Sequence, residues 1–288
     1  MSASAQIARV DLEAPSRDEI AAFFASIALA AGAVVMREYD RGCEVRAKKD
    51  ASPVTIADER AEELILGELR TRATAIPIVA EESVARGAQD AIGRSFILVD
   101  PLDGTREFIA CNGEFTINIA LVRDAAPVAG AVYAPALGRL WFGGERAFVC
   151  DSPVGAPLPD RSSWRRIATR VAPALGLVAL ASRSHGDPAT EAFLARLPIG
   201  ERRSAGSSLK FCALAEGTAD VYPRFAPTME WDTAAGDAVL RAAGGAVLGE
   251  DGAALRYGKI GSQMRNGSFV AWGDPRRAGA EMLNGRST

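Results

Sequence analysis

A chain of 288 residues with 33 Lys and Arg against 36 Asp and Glu carries a net charge of −3, too little positive charge to neutralise a polynucleotide backbone. Its 48% hydrophobic and 24% charged content is that of a soluble globular protein, long enough for one large domain or two intimate halves. Long nucleic acids are thereby excluded as partners, whereas a small phosphorylated metabolite, which needs only a few local charges, is not.

The N-terminal segment MSASAQIARVDLEAPSRDE has no basic region leading into an apolar core, so no cleaved signal peptide is expected. Ser16-Arg17-Asp18-Glu19 reads as a capping box. The uncharged stretch Ile20–Met36 that follows is shorter than the roughly 20 residues of a membrane span, and we read it as a buried first helix, not an integral membrane segment. Cys43 to Thr55 is polar and extended. Ala57–Arg72 places Leu64, Ile65 and Leu69 at helical spacing, with acids at its start. Apolar runs at Ile76–Ala80, Phe96–Val99, Phe115–Val122, Val128–Tyr133, Leu140–Phe142 and Ala147–Cys150 predict strands, the later ones close enough for antiparallel pairing. Asp151–Arg166, rich in Pro, Ser and Gly, predicts a boundary between an N-terminal half, 1–155, and a C-terminal half, 156–288. Beyond it come strand Leu177–Ala181, helix Ala189–Leu197, helix Ser207–Ala215, strand Asp220–Phe225, helix Asp232–Ala243 and strand Phe269–Trp272. The expected fold is a layered α/β (α+β) sandwich, a mostly antiparallel sheet followed by a mixed one with helices between. Cys43, Cys111, Cys150 and Cys212 are far apart and form no CxxC pair, which favours free thiols and a cytoplasmic location.

Acidic residues recur where apolar runs end. Glu81 and Glu82 follow Ile76–Ala80, Asp100 and Asp103 follow Phe96–Val99 in DPLDGT, and Asp232 stands at a predicted helix start in WDTAAG. Converging carboxylates repel one another and call for a cation. Hard oxygen donors suit Mg²⁺, and a chain with one His and no Cys cluster makes zinc a poor choice. Gly104-Thr105 adds a tight turn whose N–H groups can point at an anion. Taken singly, DG is a common turn, Asp232 a helix cap, and a Glu pair a solvated surface. The conjunction is stronger, because each cluster terminates an apolar segment. His185, the one histidine, lacks a nucleophile motif around it and is given a loop role. Trp141-Phe142 and Trp231 are read as core.

These residues resemble the inositol monophosphatase superfamily of lithium-sensitive, Mg²⁺-dependent phosphatases. SPVTIAD (Ser52–Asp58), EES (Glu81–Ser83), DPLDGTREF (Asp100–Phe108) and WDTAAG (Trp231–Gly236) occur in that superfamily's order. Within it, NGEFTINIAL (Asn112–Leu121), ASRSH (Ala181–His185), GSSLKFCALAEG (Gly206–Gly217) and YPRFAPT (Tyr222–Thr228) are similar to the CysQ-type 3′(2′),5′-bisphosphate nucleotidases. The resemblance implies two to three Mg²⁺ ions. Glu81, Asp100 and the Leu102 carbonyl would hold the first, and Asp100, Asp103 and Asp232 the second. Thr105, polarised by Asp58, would orient the attacking water. Gly104 and Thr105 amides would hold the scissile phosphate, with Glu81, Leu102, Asp103 and Asp232 also lining the substrate site. Arg106 departs from the usual Lys of this motif, keeping the charge but changing its geometry.

Arg224 lies near where inositol phosphatases are expected to place an acid, and would suit a second phosphate. Lys210 would add a charge, its plainer reading being an exposed helix lysine. The implied reaction is removal of the 3′-phosphate of adenosine 3′,5′-bisphosphate, or of its phosphosulfate analogue, in sulfur metabolism. The alternatives are an inositol or sugar (bis)phosphatase, and a non-catalytic phosphate or metal sensor. Relatives include both monomers and homodimers. The resemblance also implies peripheral association with the inner membrane, for which no amphipathic basic segment is visible.

Overall fold

Ser16 opens the first helix as its spacing requires. Its hydroxyl accepts the Glu19 N–H, and Glu19 returns a bond to the Ser16 N–H at 2.9 Å, so two otherwise orphaned donors are satisfied at the start of α1 (Arg17–Arg41). Gly42 ends α1 in the left-handed region, at φ 70°. Among the described residues, α1 is the one helix long and apolar enough to cross a membrane, and most of its apolar window is packed inside the protein. The computed structural model describes residues 16–42, 45–47, 53–72, 76–88, 90–181 and 187–278. Cys43, Ser52 and His185 lie outside them.

After α1 the short strands β1 (Val45–Ala47) and β2 (Pro53–Thr55) pair antiparallel and lead into α2 (Ile56–Arg72). Then follow β3 (Ile78–Ala80), α3 (Glu81–Ala85), β4 (Ser95–Asp103), α4 (Thr105–Ile109), β5 (Thr116–Arg123), β6 (Ala126–Ala134), β7 (Arg139–Gly143), β8 (Ala147–Asp151) and β9 (Arg165–Ile167). Strands β3 to β9 form one seven-stranded sheet in chain order, parallel only between β3 and β4. The β5–β6 turn has positive φ at both Asp124 and Ala125, a conformation that matches the twist of a two-residue hairpin. Next come β10 (Leu177–Ala181), α5 (Pro188–Leu194), β11 (Ile199–Ser204), α6 (Leu209–Ala215), β12 (Val221–Arg224), β13 (Thr228–Met229), α7 (Glu230–Ala242), β14 (Ala246–Gly249), β15 (Arg265–Asn266) and β16 (Phe269–Trp272). The second sheet runs β11-β10-β12-β16-β14, with β10 parallel to β11 and β12 and the other pairs antiparallel.

Alternation along the strands sorts the layers. Ile97, Val99, Ile117 and Ile119 face α1 and α2. Phe96, Leu98, Ala120 and Val122 face the opposite way, into a core shared with α6, α7 and the inner side of the second sheet. Leu177, Val221, Val270 and Trp272 cover that sheet's far side with α5. Five layers result, helix and sheet alternating, as expected. Trp141, Phe142 and Trp231 are core residues. Strand β9, at the end of the segment expected to be a boundary, and the two-residue strands β13 and β15 were not foreseen, nor were two edge strands of the second sheet. Strand β11 is IGERRS, a polar, largely exposed edge paired parallel to β10 across a register shift at Leu177–Val178, and β14 is a short run at the other edge. Edge strands carry little apolar pattern to read.

Candidate active site

Asp58, Asp100 and Asp232 are each set by a local hydrogen bond, and Asp103 by a more distant one. Asp58 is the third residue of α2, and its Oδ2 accepts both the N–H and the hydroxyl of Thr55, at 2.8 and 2.6 Å, while the Thr55 hydroxyl oxygen accepts the Ala57 N–H, a cap on the start of the helix. Asp232 does the same at the start of α7, where its Oδ2 accepts the Met229 N–H at 2.8 Å. The helix therefore begins two residues earlier than expected, at Glu230.

Asp100 and Asp103 lie within β4, not beyond its end. In a regular strand, residues three apart point to opposite faces. Here Asp100 pairs with Asn118 and Asp103 with Thr116, so three steps on β4 oppose two on β5. This one-residue bulge brings both carboxylates to the same face. Leu102 N–H donates to Asp100 Oδ1 at 3.0 Å. Asp103 Oδ2 accepts from Ser207 Oγ at 2.5 Å and from Asn118 Nδ2 at 3.4 Å.

The chemistry of this cluster is dominated by burial and repulsion. Burial, then the charges of Glu81, Asp103 and Asp232, hold the Asp100 carboxyl well above the usual range. Asp232 is raised by burial and by Asp103 and Glu81. Asp103 is raised by burial, opposed by Ser207, Lys210 and Asn118. Glu81, Asp100, Asp103 and Asp232 are thus within electrostatic reach of one another. In the last three, one oxygen is tied to the scaffold, and the other makes no hydrogen bond among the described residues. No three or more Asp, Glu, His or Cys side chains there are drawn in as a ready-made ion cage. A hard cation that keeps part of its water shell, as Mg²⁺ does, fits such an open oxygen set.

Beside the carboxylates, Gly104 adopts φ 96°, a left-handed turn that an L side chain would strain, and α4 starts directly after it. Thr105 Oγ1 donates to Asp58 Oδ1 at 3.3 Å and lies 3.4 Å from the Leu102 carbonyl. A cavity of about 300 Å³ opens here, lined among others by Glu81, Asp103, Thr105, Lys210, Arg224 and Asp232. Every side chain proposed from the sequence for metal, catalysis or substrate, apart from the buried Asp58, Asp100 and Leu102 behind it, faces this one cavity.

The sequence matches the inositol monophosphatase family over residues 16–278. The chain belongs to that family. It is 42% identical over 229 residues to the 3′(2′),5′-bisphosphate nucleotidase CysQ of Salmonella typhimurium, covering 79% of this chain and 89% of that one. The solved structure of CysQ from Bacteroides thetaiotaomicron, a bacterial member of the inositol monophosphatase family, superposes with a TM-score of 0.73 at 40% identity, over 88% of this chain and 97% of the other. An inositol monophosphatase from Anabaena shares the fold, with a TM-score of 0.70 at 22% identity, over 92% and 96% of the two chains.

In this family member, two residues differ from their plainer readings. Lys210 is no exposed helix lysine. It is 5% exposed, its ammonium donates to the carbonyls of Ala205 and Ser207 at 3.0 and 2.7 Å, and burial pushes its pKa down to about 8. The Glu pair is no solvated surface either. Glu82 is buried, and its N–H donates to the fully buried Glu62 at 2.7 Å. Arg224 sits on the cavity wall with a buried Nε that has no hydrogen-bond partner among the described residues. Sequence reasoning missed Thr116, Asn118, Ser207 and Ser208. Thr116 Oγ1 lies 2.5 Å from Ser207 Oγ, and Asn118 Nδ2 donates to Ser208 Oγ, which donates to the Asp232 carbonyl. Their signal was present: Thr116 and Asn118 are polar residues two apart in an otherwise apolar strand.

Proposed function

We propose that this protein is a Mg²⁺-dependent 3′(2′),5′-bisphosphate nucleotidase that removes the 3′-phosphate of adenosine 3′,5′-bisphosphate, leaving AMP and phosphate. Its phosphosulfate analogue is a second substrate, and clearing both serves sulfur assimilation. The observation that carries this reading is a set of mutually repelling carboxylates beside a cavity whose wall also holds Arg224, in a chain 42% identical to a CysQ nucleotidase.

Glu81, Asp100 and the Leu102 carbonyl, with Asp103 and Asp232, are the groups that would hold Mg²⁺. Bound there, the ion supplies Lewis acidity to a water nucleophile and charge neutralisation to the leaving oxygen. The chain's own residues do the rest. Asp58, fastened by Thr55, accepts the Thr105 hydroxyl proton, so the threonine oxygen is left to accept a hydrogen bond from the attacking water and orient it. Gly104 and Thr105 present backbone N–H groups to the phosphate oxygens. The Arg224 guanidinium, whose Nε has no partner among the described residues, receives the second phosphate. Lys210 keeps one donor beyond the two spent on carbonyls and adds positive charge to the same wall. The free thiols of Cys111, Cys150 and Cys212 suit the cytoplasm, where we place the protein.

The test is Mg²⁺-dependent phosphate release from adenosine 3′,5′-bisphosphate, beside inositol 1-phosphate and fructose 1,6-bisphosphate, with Asp103→Asn as blank. A strong nucleotide preference lost in the variant is expected. Preference for either other substrate overturns the role given to Arg224, and no release from any of them favours a non-catalytic sensor. Arg224→Met should lower kcat/KM for the bisphosphate by about 10–100-fold, the worth of a charge-assisted contact, and barely change that for adenosine 3′-monophosphate. Equal losses on both substrates would remove Arg224 from the second-phosphate site.

A further inference from the structure

The turn Ala205–Ser208 is held in a conformation its sequence does not favour. Ser207 has φ 51°, the left-handed region that a residue with a Cβ occupies only at a cost, and such outliers persist where the surroundings over-determine them. Five hydrogen bonds and one steric restriction do so here. Gly206 N–H donates to Glu114 Oε2 at 2.8 Å, and a Cβ on Gly206 would come within 2.6 Å of the Glu114 carbonyl. Lys210 grips the carbonyls on either side of Gly206. The Ser207 hydroxyl itself lies between Thr116 Oγ1 and Asp103 Oδ2, 2.5 Å from each.

Proton counting gives this chain a direction. An ionised carboxylate only accepts, and a hydroxyl has one proton to give. With Asp103 ionised, Ser207 therefore donates to Asp103, and the contact between Ser207 and Thr116 draws on the Thr116 proton, for which Asn118 Oδ1 at 3.0 Å also competes. Asp100 and Asp232 are tethered by backbone N–H groups, of Leu102 and Met229. Asp103 alone of the three is tethered by side chains, and by one from the other half of the chain.

We propose that Ser207 is a positioning residue for Asp103. Its left-handed backbone aims the hydroxyl at Oδ2, which commits that oxygen to the turn and leaves the other to Mg²⁺. The cavity wall Gly206–Lys210 and the metal carboxylates then form one mechanical unit across β4, β5 and the start of α6. This rests on the Mg²⁺ reading above.

The experiment compares Ser207→Ala with Ser207→Gly by calorimetric titration with MgCl₂ and by thermal unfolding without metal, beside the unsubstituted protein and Asp103→Asn. Both variants lose the hydroxyl, but only glycine sheds the left-handed strain. Both should bind Mg²⁺ about tenfold more weakly, by the same factor, as expected for one hydrogen bond to a charged group, while Ser207→Gly melts higher than Ser207→Ala. Unchanged affinity in either variant, or affinity that follows the melting temperature, overturns the proposal and leaves Ser207 a structural residue. Failure of the Mg²⁺ reading looks different: the unsubstituted protein and Asp103→Asn would then titrate alike.

Discussion

Thr105 and Asp58 are 47 residues apart in sequence and meet through a 3.3 Å hydrogen bond, because bonds from Thr55 at the start of α2 place one and a glycine turn places the other. Asp58 spends Oδ2 on Thr55 and Oδ1 on Thr105, so the threonine rotor is held rather than free. Thr105→Val keeps the shape and removes the hydroxyl. The expected result is a fall in kcat of about 10²–10⁴-fold, the usual worth of positioned proton transfer, with the bisphosphate KM little changed. Thr105→Ser should restore most of it. Steady-state phosphate release decides the matter, and a KM effect without a kcat effect would assign Thr105 to binding alone. Glu81, Asp100 and Asp103 were legible in the sequence because they follow apolar runs, Asp232 because it opens a predicted helix, and Asp58 through the family resemblance. Ser207 was not, since its role depends on a backbone angle and on a partner over a hundred residues away.

At the scale of elements, the site depends on how closely α7 approaches the large sheet. Small residues, Ala235, Ala238 and Ala242, line the helix face towards β6 and β7. Opposite them stand Gly130 and Gly143. A Cβ on Gly130 would lie 2.9 Å from the Ala235 carbonyl and 3.0 Å from its Cα, atoms that cannot swing aside. Gly130→Ala should thus push α7, and Asp232 with it, off the sheet. An overpacking cost of about 1–3 kcal/mol is expected, read as a lower urea midpoint, together with weakened Mg²⁺-dependent activity. A variant as stable and active as the parent would mean that the helix moves without consequence for Asp232. The run WDTAAGDAVLRAA marks a helix plainly enough, but which face meets which glycine is a matter of three-dimensional register.

Over the whole molecule, buried acids also lock distant segments, and this gives stability a pH dependence. Asp18, near the start of α1, accepts the N–H groups of Glu145 and Arg146 at 2.8 and 2.9 Å and the Arg146 guanidinium at 2.8 Å, tying the N-terminal helix to the β7–β8 turn. Burial alone would raise its pKa, but the bonds from Arg146 and Glu145 outweigh burial and hold the carboxyl below its ordinary value. A group depressed in the folded state stabilises fully above its unfolded value, near pH 4, and loses that contribution as pH falls through the folded value. Asp18→Asn should therefore cost about 2 kcal/mol at pH 7 and flatten the acid limb of stability against pH. Denaturant titrations between pH 7 and 3 would show it. Parallel curves for parent and variant would deny Asp18 this role.

The sequence by itself determined the layered architecture and the family, and it named the acids proposed for the site, because periodic burial, capping motifs and DPLDGT are local patterns that short-range sterics and hydrogen bonding translate directly. Tertiary structure alone decided the rest. The bulge between Asp100 and Asp103 exists only against β5, the left-handed Ser207 only against Thr116 and Asp103, and the buried Lys210 only because α6 is pressed between two sheets. These features depend on contacts between residues distant in the chain, where the energy of packing overrides what any single segment would prefer.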